Sequence, residues 1–174
     1  MLSKIRAIFK PDGGPAADAA QEERELHVAA TAMLIEAAMT DGTVDAVEME
    51  RIAILIERHF GIAPDMVRQI LADGEKKAEA AVDIYSFLRV VNDQFDHEER
   101  IMLVEMLWDV VYADDDLHDH EANLIRRVSG MLGLTDVESG AARKRVLARR
   151  EAGPEDRDAI VPEGTIPHGG GADT

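Results

Sequence analysis

The chain has 174 residues, with 19 Lys plus Arg against 35 Asp plus Glu and a formal net charge of −16. Such a field repels nucleic-acid phosphates, whose binding requires clustered Lys and Arg, and attracts cations and basic partners. With no cysteine, disulfides and thiolate metal sites are excluded, and no stretch approaches the roughly 20 apolar residues of a membrane span.

Hydrophobic residues make up 46% of the chain and aromatics only 4%, so the core is aliphatic. Ala, Leu, Met, Glu and Arg favour helices, and residues that favour strands are sparse. The expectation is an all-α fold, a compact bundle of about seven helices in one domain.

Residues 1–10, MLSKIRAIFK, form a short amphipathic pattern with Leu2, Ile5, Ile8 and Phe9 on one side. They lack the apolar run and small-residue cleavage site of a signal peptide, which points to the cytoplasm. The Pro/Gly/Ala stretch over 11–20 reads as a linker, so 1–20 is set apart from a helical domain over 21–150. From Glu22, Leu26, Ala29, Ala30, Met33, Leu34 and Ala37 recur at helical spacing, with a stop near Thr40. Asp45 and Glu48 form a capping-box pair that opens a second helix, lined by Ile52, Leu55, Ile56 and Phe60 and closed by Gly61. Pro64 opens a third, which Asp73-Gly74 is expected to break. A fourth covers about 80–93, with Ile84, Phe87, Leu88 and Val91 inward. Asp96 and Glu99 repeat the capping pattern before a long fifth helix, which the run Asp114-Asp115-Asp116 interrupts. A sixth spans about 119–132 and ends before Gly133. Thr135 caps a seventh, whose Arg143, Lys144, Arg145, Arg149 and Arg150 complement the helix dipole. The Pro/Gly-rich residues 151–174 read as a disordered tail.

Residues 33–52 (MLIEAAMTDGTVDAVEMERI) and 106–125 (MLWDVVYADDDLHDHEANLI) align at an offset of 73. Met33, Leu34, Glu36, Asp41, Val44, Glu48 and Ile52 fall on Met106, Leu107, Asp109, Asp114, Leu117, Glu121 and Ile125. The chain therefore contains two pseudo-repeated helix–acidic turn–helix units that bury their apolar faces against each other. Each has an Asp at the end of one helix and a Glu seven residues later, with Asp45 added in the first turn and His118, between Asp116 and Asp119, in the second. Carboxylates gathered in a tight turn are screened by solvent, cap backbone N–H groups, or hold a hard divalent cation. Neither turn is an EF-hand, which needs Gly at position 6 and Glu at position 12. Counting from Asp41 gives Ala46 and Ile52 there, and counting from Asp114 gives Asp119 and Ile125.

The segments MTDGTVDAVEMERI and LVEMLWDVVYADDDLHDHEANLIRRVSGMLGL resemble the tellurite-resistance protein B (TerB) family. Within it they are similar to a small bacterial branch with a run like LVEMLW, then YADG-L-H--E and LIRRV. The resemblance covers about residues 25–150. It implies an all-helical fold of pseudo-repeated halves and acidic residues that bind a divalent cation (Ca²⁺, Mg²⁺ or Mn²⁺). It further implies a link to tellurite resistance and stress responses beside membrane-associated partners, hence a peripheral place at the inner membrane, and no enzymatic activity. The family's acidic positions fall on Asp41, Asp45, Glu48, Asp114 and Glu121. The second turn departs from the pattern, with Asp115 where the family has Gly and His118 in place of a second cap carboxylate.

The other reading is a non-catalytic helical adaptor whose acidic face meets basic proteins. Trp108 reads as a core anchor. His97, His118 and His120 do not converge as a zinc site, and Glu36 and Asp109 are expected to pair with Arg51, Arg126 or Arg127. No HExxH, GxSxG, phosphate loop or Cys nucleophile is present.

Overall fold

A computed structural model describes residues 15–39, 43–80, 84–113 and 119–153, and every regular element among them is an α-helix. These are α1 (Pro15–Ala38), α2 (Ala46–Phe60), α3 (Pro64–Ala80), α4 (Tyr85–Gln94), α5 (His97–Val111), α6 (Asp119–Met131) and α7 (Asp136–Ala152). Among the described residues, no helix is long and apolar enough to cross a membrane.

α1 and α5 form the centre. Over their C-terminal portions both are buried on nearly all sides, the signature of an interior helix: Ala29, Ala30, Ala32, Met33 and Leu34 of α1, and Leu103, Val104 and Val110 of α5, have no exposed surface. The more amphipathic helices cover them. α2 and α6 each pack against both central helices, α3 lies on α1, and α7 lies on α5. α4 joins the two halves and rests on α1 with Phe87, Leu88 and Val91 buried.

The repeat extends beyond the acidic turns. Ala38 and Val111 end their helices, and Ala46 and Asp119 start the next ones, at the same interval of 73 residues. The contacts α1–α2, α2–α3 and α1–α3 recur as α5–α6, α6–α7 and α5–α7. Each half is therefore a three-helix unit. Both second helices end on a glycine in the left-handed region, Gly61 at φ 62° and Gly133 at φ 77°. At Gly133, the Leu134 N–H donates to the Ser129 carbonyl (3.0 Å) and the Gly133 N–H to that of Gly130 (3.1 Å), a Schellman motif.

The expected caps form. Asp45, Asp96 and Thr135 each close a capping box with the glutamate three residues on. Three boundaries differ from the sequence reading, one of them the start of α4, which is Tyr85 rather than about residue 80. α1 begins at Pro15, inside the segment read as linker, because Ala and Glu sustain an exposed helix without an apolar stripe. α3 does not break at Asp73-Gly74 but runs to Ala80. Gly74 is buried there, and a Cβ at this position would sit 2.8 Å from Thr31 Cγ2, so the missing side chain lets α3 approach α1 closely. Arg24 ties the same pair of helices through Asp73 at 2.6 Å. The N-terminal amphipathic pattern and the tail beyond residue 153 lie outside the described residues.

Candidate functional site

The acidic turns join α1 to α2 and α5 to α6. Of the five residues marked by the sequence, Asp45, Glu48 and Glu121 are described, whereas Asp41 and Asp114 lie outside the described residues, as does His118. Asp45 is the N-cap of α2, with extended backbone at φ −65° and ψ 151°. Its Oδ1 accepts the Val47 N–H at 2.7 Å, and its own N–H donates to Glu48 Oε2 at 3.0 Å. Helix start and carboxylate placement are thus one interaction.

Glu48 and Glu121 are interior residues, 6% and 3% exposed. Each lies four residues before an isoleucine, Ile52 or Ile125, that is 0% exposed. Residues four apart share a helix face, so seating the isoleucine carries the glutamate inward. The two glutamates also hold matching places in the first turns of α2 and α6.

A carboxylate that caps a backbone N–H keeps further lone pairs, which a hard cation can use at about 2.3–2.6 Å. Among the described residues, however, no three His, Asp or Glu side chains come together as a group able to hold a metal ion. Asp45, Glu48 and Glu121 therefore do not fit a complete site by themselves. A full set would need Asp41 or Asp114. His97, considered as a zinc ligand, instead meets Glu138 through Nε2 at 2.7 Å.

A charge cluster, buried at its Asp109 centre, joins α2, α5 and α7. Asp109 of α5 receives Arg51 of α2 as a fork, Nε to Oδ1 at 3.0 Å and Nη2 to Oδ2 at 2.7 Å. Arg150 of α7 approaches the same carboxylate at 3.8 Å. Glu105, one turn earlier, takes Arg145 at 2.5 Å and Arg149 at 2.9 Å. His59 faces this cluster, and its pKa is lowered, chiefly by burial and then by Arg149, against the opposing pull of Glu105 and Asp109.

The Arg51–Asp109 pair was among those the sequence suggested. The other arginines were not: the basic end of α7 reads as a complement to the helix dipole, yet three of its arginines bind acids of α5. The spacing of Arg145 and Arg149 puts both on one face, but no local signal names Glu105 as their partner. The pair also breaks the repeat. At the 73-residue offset, Arg51 and Asp109 correspond to Leu124 and Glu36, which cannot form the same bridge.

No curated protein matches the chain. In fold it is similar to the crystal structure of a protein of unknown function, PG1108, from Porphyromonas gingivalis W83. Sequence identity there is 20%, with a TM-score of 0.49 over 71% of this chain and 95% of the other. The family model for tellurite resistance protein TerB matches residues 27–144, from α1 into α7 and across both acidic turns. Over that span, with two helix–acidic turn–helix units in place, the chain belongs to the TerB family.

Proposed function

We propose that this chain is a non-enzymatic TerB-type module that takes up a divalent cation at its acidic turns, in a cytoplasmic setting of tellurite resistance and stress response. One observation supports the reading above the others. Glu48 and Glu121, at matching positions of the two units, are both drawn into the interior beside the turns that contain Asp41 and Asp114. Glu48 meets part of the cost of leaving water through the Asp45 N–H, and a carboxylate so held keeps lone pairs that a hard cation can use. Oxygen-only ligands favour Ca²⁺, Mg²⁺ or Mn²⁺ over softer metals.

A second reading has its own support. The Asp45–Glu48 capping box accounts for two of the five carboxylates without a cation. On that reading the module is an adaptor, and its net charge of −16 serves basic protein partners.

Thermal unfolding with Ca²⁺, Mg²⁺, Mn²⁺ or Zn²⁺ separates the two, because a ligand of the folded state alone raises the melting temperature. The cation reading expects such a rise, and expects Asp41→Asn with Glu48→Gln to abolish it. The adaptor reading expects no rise, and a cost of about 1 kcal/mol for each lost cap. A double variant that keeps the full metal-induced rise overturns the assignment of these residues.

A further inference from the structure

A cleft of about 290 Å³ opens between α5, α6 and α7, lined by Trp108, Arg126, Asp136, Ser139, Gly140 and Arg143. Trp108 is 2% exposed, yet its indole N–H has no hydrogen-bond partner among the described residues. A buried donor left unmade costs about 1–3 kcal/mol, so an orphan beside a cleft marks a place for an acceptor.

The remaining wall shows which acceptor. Arg143 sits over the aromatics, its Cζ 5.1 Å from the Trp108 centroid and 5.8 Å from that of Tyr112. Its Nε donates to the Tyr112 hydroxyl at 2.7 Å. That single bond leaves both Nη groups without an acceptor among the described residues. Arg126 reaches only the neutral Asn123 Oδ1, at 3.3 Å. Two guanidinium groups that meet no carboxylate among the described residues are thus set on one cleft of a chain whose net charge is −16.

Ser139 adds no donor. Ser129 Oγ gives its proton to the Ile125 carbonyl at 2.8 Å, so in the 3.0 Å contact between the serines Ser139 must be the donor. Donors with capacity left on this cleft are then the buried Trp108 indole and the two arginines. Asp136 on the rim offsets one of the two positive charges, which suits a singly charged guest better than a dianion.

We infer that this cleft binds a carboxylate, held by the guanidinium groups of Arg126 and Arg143 and by the indole N–H of Trp108. A carboxylate is planar and singly charged, and it matches the paired donors of a guanidinium. The volume, at the small end for ligand pockets, fits a short free carboxylic acid or one Asp or Glu side chain of a partner.

Trp108 is the chain's one tryptophan, so its indole ¹H–¹⁵N resonance reports on this site alone. We would titrate the full chain at constant ionic strength with sodium acetate, N-acetylglutamate amide, inorganic phosphate and sodium chloride. The expected result is a saturable shift of that resonance with acetate, with the blocked glutamate, or with both. Acetate alone identifies a free acid as the guest, and a response to the blocked glutamate identifies a side-chain carboxylate. Arg126→Gln, an exposed change that leaves the helix content seen by circular dichroism intact, should weaken binding about tenfold, the effect of one charge-assisted hydrogen bond. Tighter binding of phosphate than of either carboxylate, an equal shift with chloride, or unchanged affinity in Arg126→Gln would overturn the assignment.

Discussion

Arg51 holds Asp109 through two parallel N–H···O bonds, of 3.0 and 2.7 Å, joining the second helix of one repeat to the first helix of the other. The two side chains are 13% and 4% exposed, so solvent screens the pair little. A planar fork on a carboxylate fixes distance and rotation together, which a single contact does not.

Removing one partner leaves the other charge buried. Arg51→Met should therefore cost about 3 kcal/mol in urea unfolding, the low end for a broken buried pair, since Arg150 stays near Asp109 at 3.8 Å. Asp109→Leu should cost about 3–5 kcal/mol, because it leaves Arg51 and Arg150 facing each other. The double change to Met and Leu should recover part of the loss. Equal stability of Arg51→Met and the parent would show that the fork contributes nothing.

Gly74→Ala sets helix propensity against packing. Alanine improves an exposed helix position by about 1 kcal/mol. Here its methyl would lie 2.8 Å from Thr31 Cγ2 and 3.2 Å from Thr31 Cβ, on a β-branched side chain whose hydroxyl is tied to the His27 carbonyl at 2.8 Å. Overpacking of about 1–3 kcal/mol should win, giving net destabilisation. Thr31→Ser removes the nearer carbon and should partly rescue the variant, which differential scanning calorimetry can check.

Two histidines shape the acid response. His27 stacks on Phe60 with ring centroids 4.6 Å apart, and burial lowers its pKa below 6.5 against the pull of Glu23. His59 is lowered in the same direction, first by burial. The unfolded chain takes up these protons near pH 6.5 while the folded chain resists them. Below that value the unfolded state binds more protons, so this contribution is complete above about pH 6.5 and is lost as pH falls. Urea midpoints should drop between about pH 7.5 and 5.5, and by less in a His27→Gln/His59→Gln variant. An identical drop in that variant would remove both residues from the effect.

The carboxyl of Glu138 should titrate far below the ordinary glutamate value. Hydrogen bonds from the Thr135 N–H and hydroxyl, then from His97, hold its pKa at about 2 against an ordinary 4.5. This cap's contribution is present above about pH 4.5 and fades as pH falls towards 2. Carbon-detected NMR should show the low midpoint. Thr135→Ala should raise it only part of the way, because the backbone N–H at 2.8 Å remains.

Local chemistry was easy to read in the sequence and tertiary chemistry was not. Capping boxes declare themselves within four residues, and Asp45, Asp96 and Thr135 all start helices as expected. Asp73-Gly74 misleads because a local rule for breaking helices yields to Thr31, 43 residues earlier, whose fit needs a residue without a side chain. Burial of Glu48 and Glu121 follows from the isoleucine four residues on. The partners of Arg149 and Arg150 depend on how α7 lies across α5, and helical spacing carries no record of that. The donors around Trp108 were hidden for the same reason: spacing marks the indole as core but does not show that its N–H lacks a partner.

The central place of α1 bears on how this chain is made. α1 packs against α2, α3, α4, α5 and α6, so among the described residues its covering comes from segments synthesised after it. On the ribosome it emerges with Ala29, Ala30, Met33 and Leu34 bare, and α2 and α3 can shield only part of that surface. The second half, which supplies α5 and α6, completes the enclosure. An exposed apolar helix is open to wrong association while it waits. Folding of the first repeat is thereby tied to the arrival of the second, and a chain halted before α5 would display the surface that the finished molecule hides best.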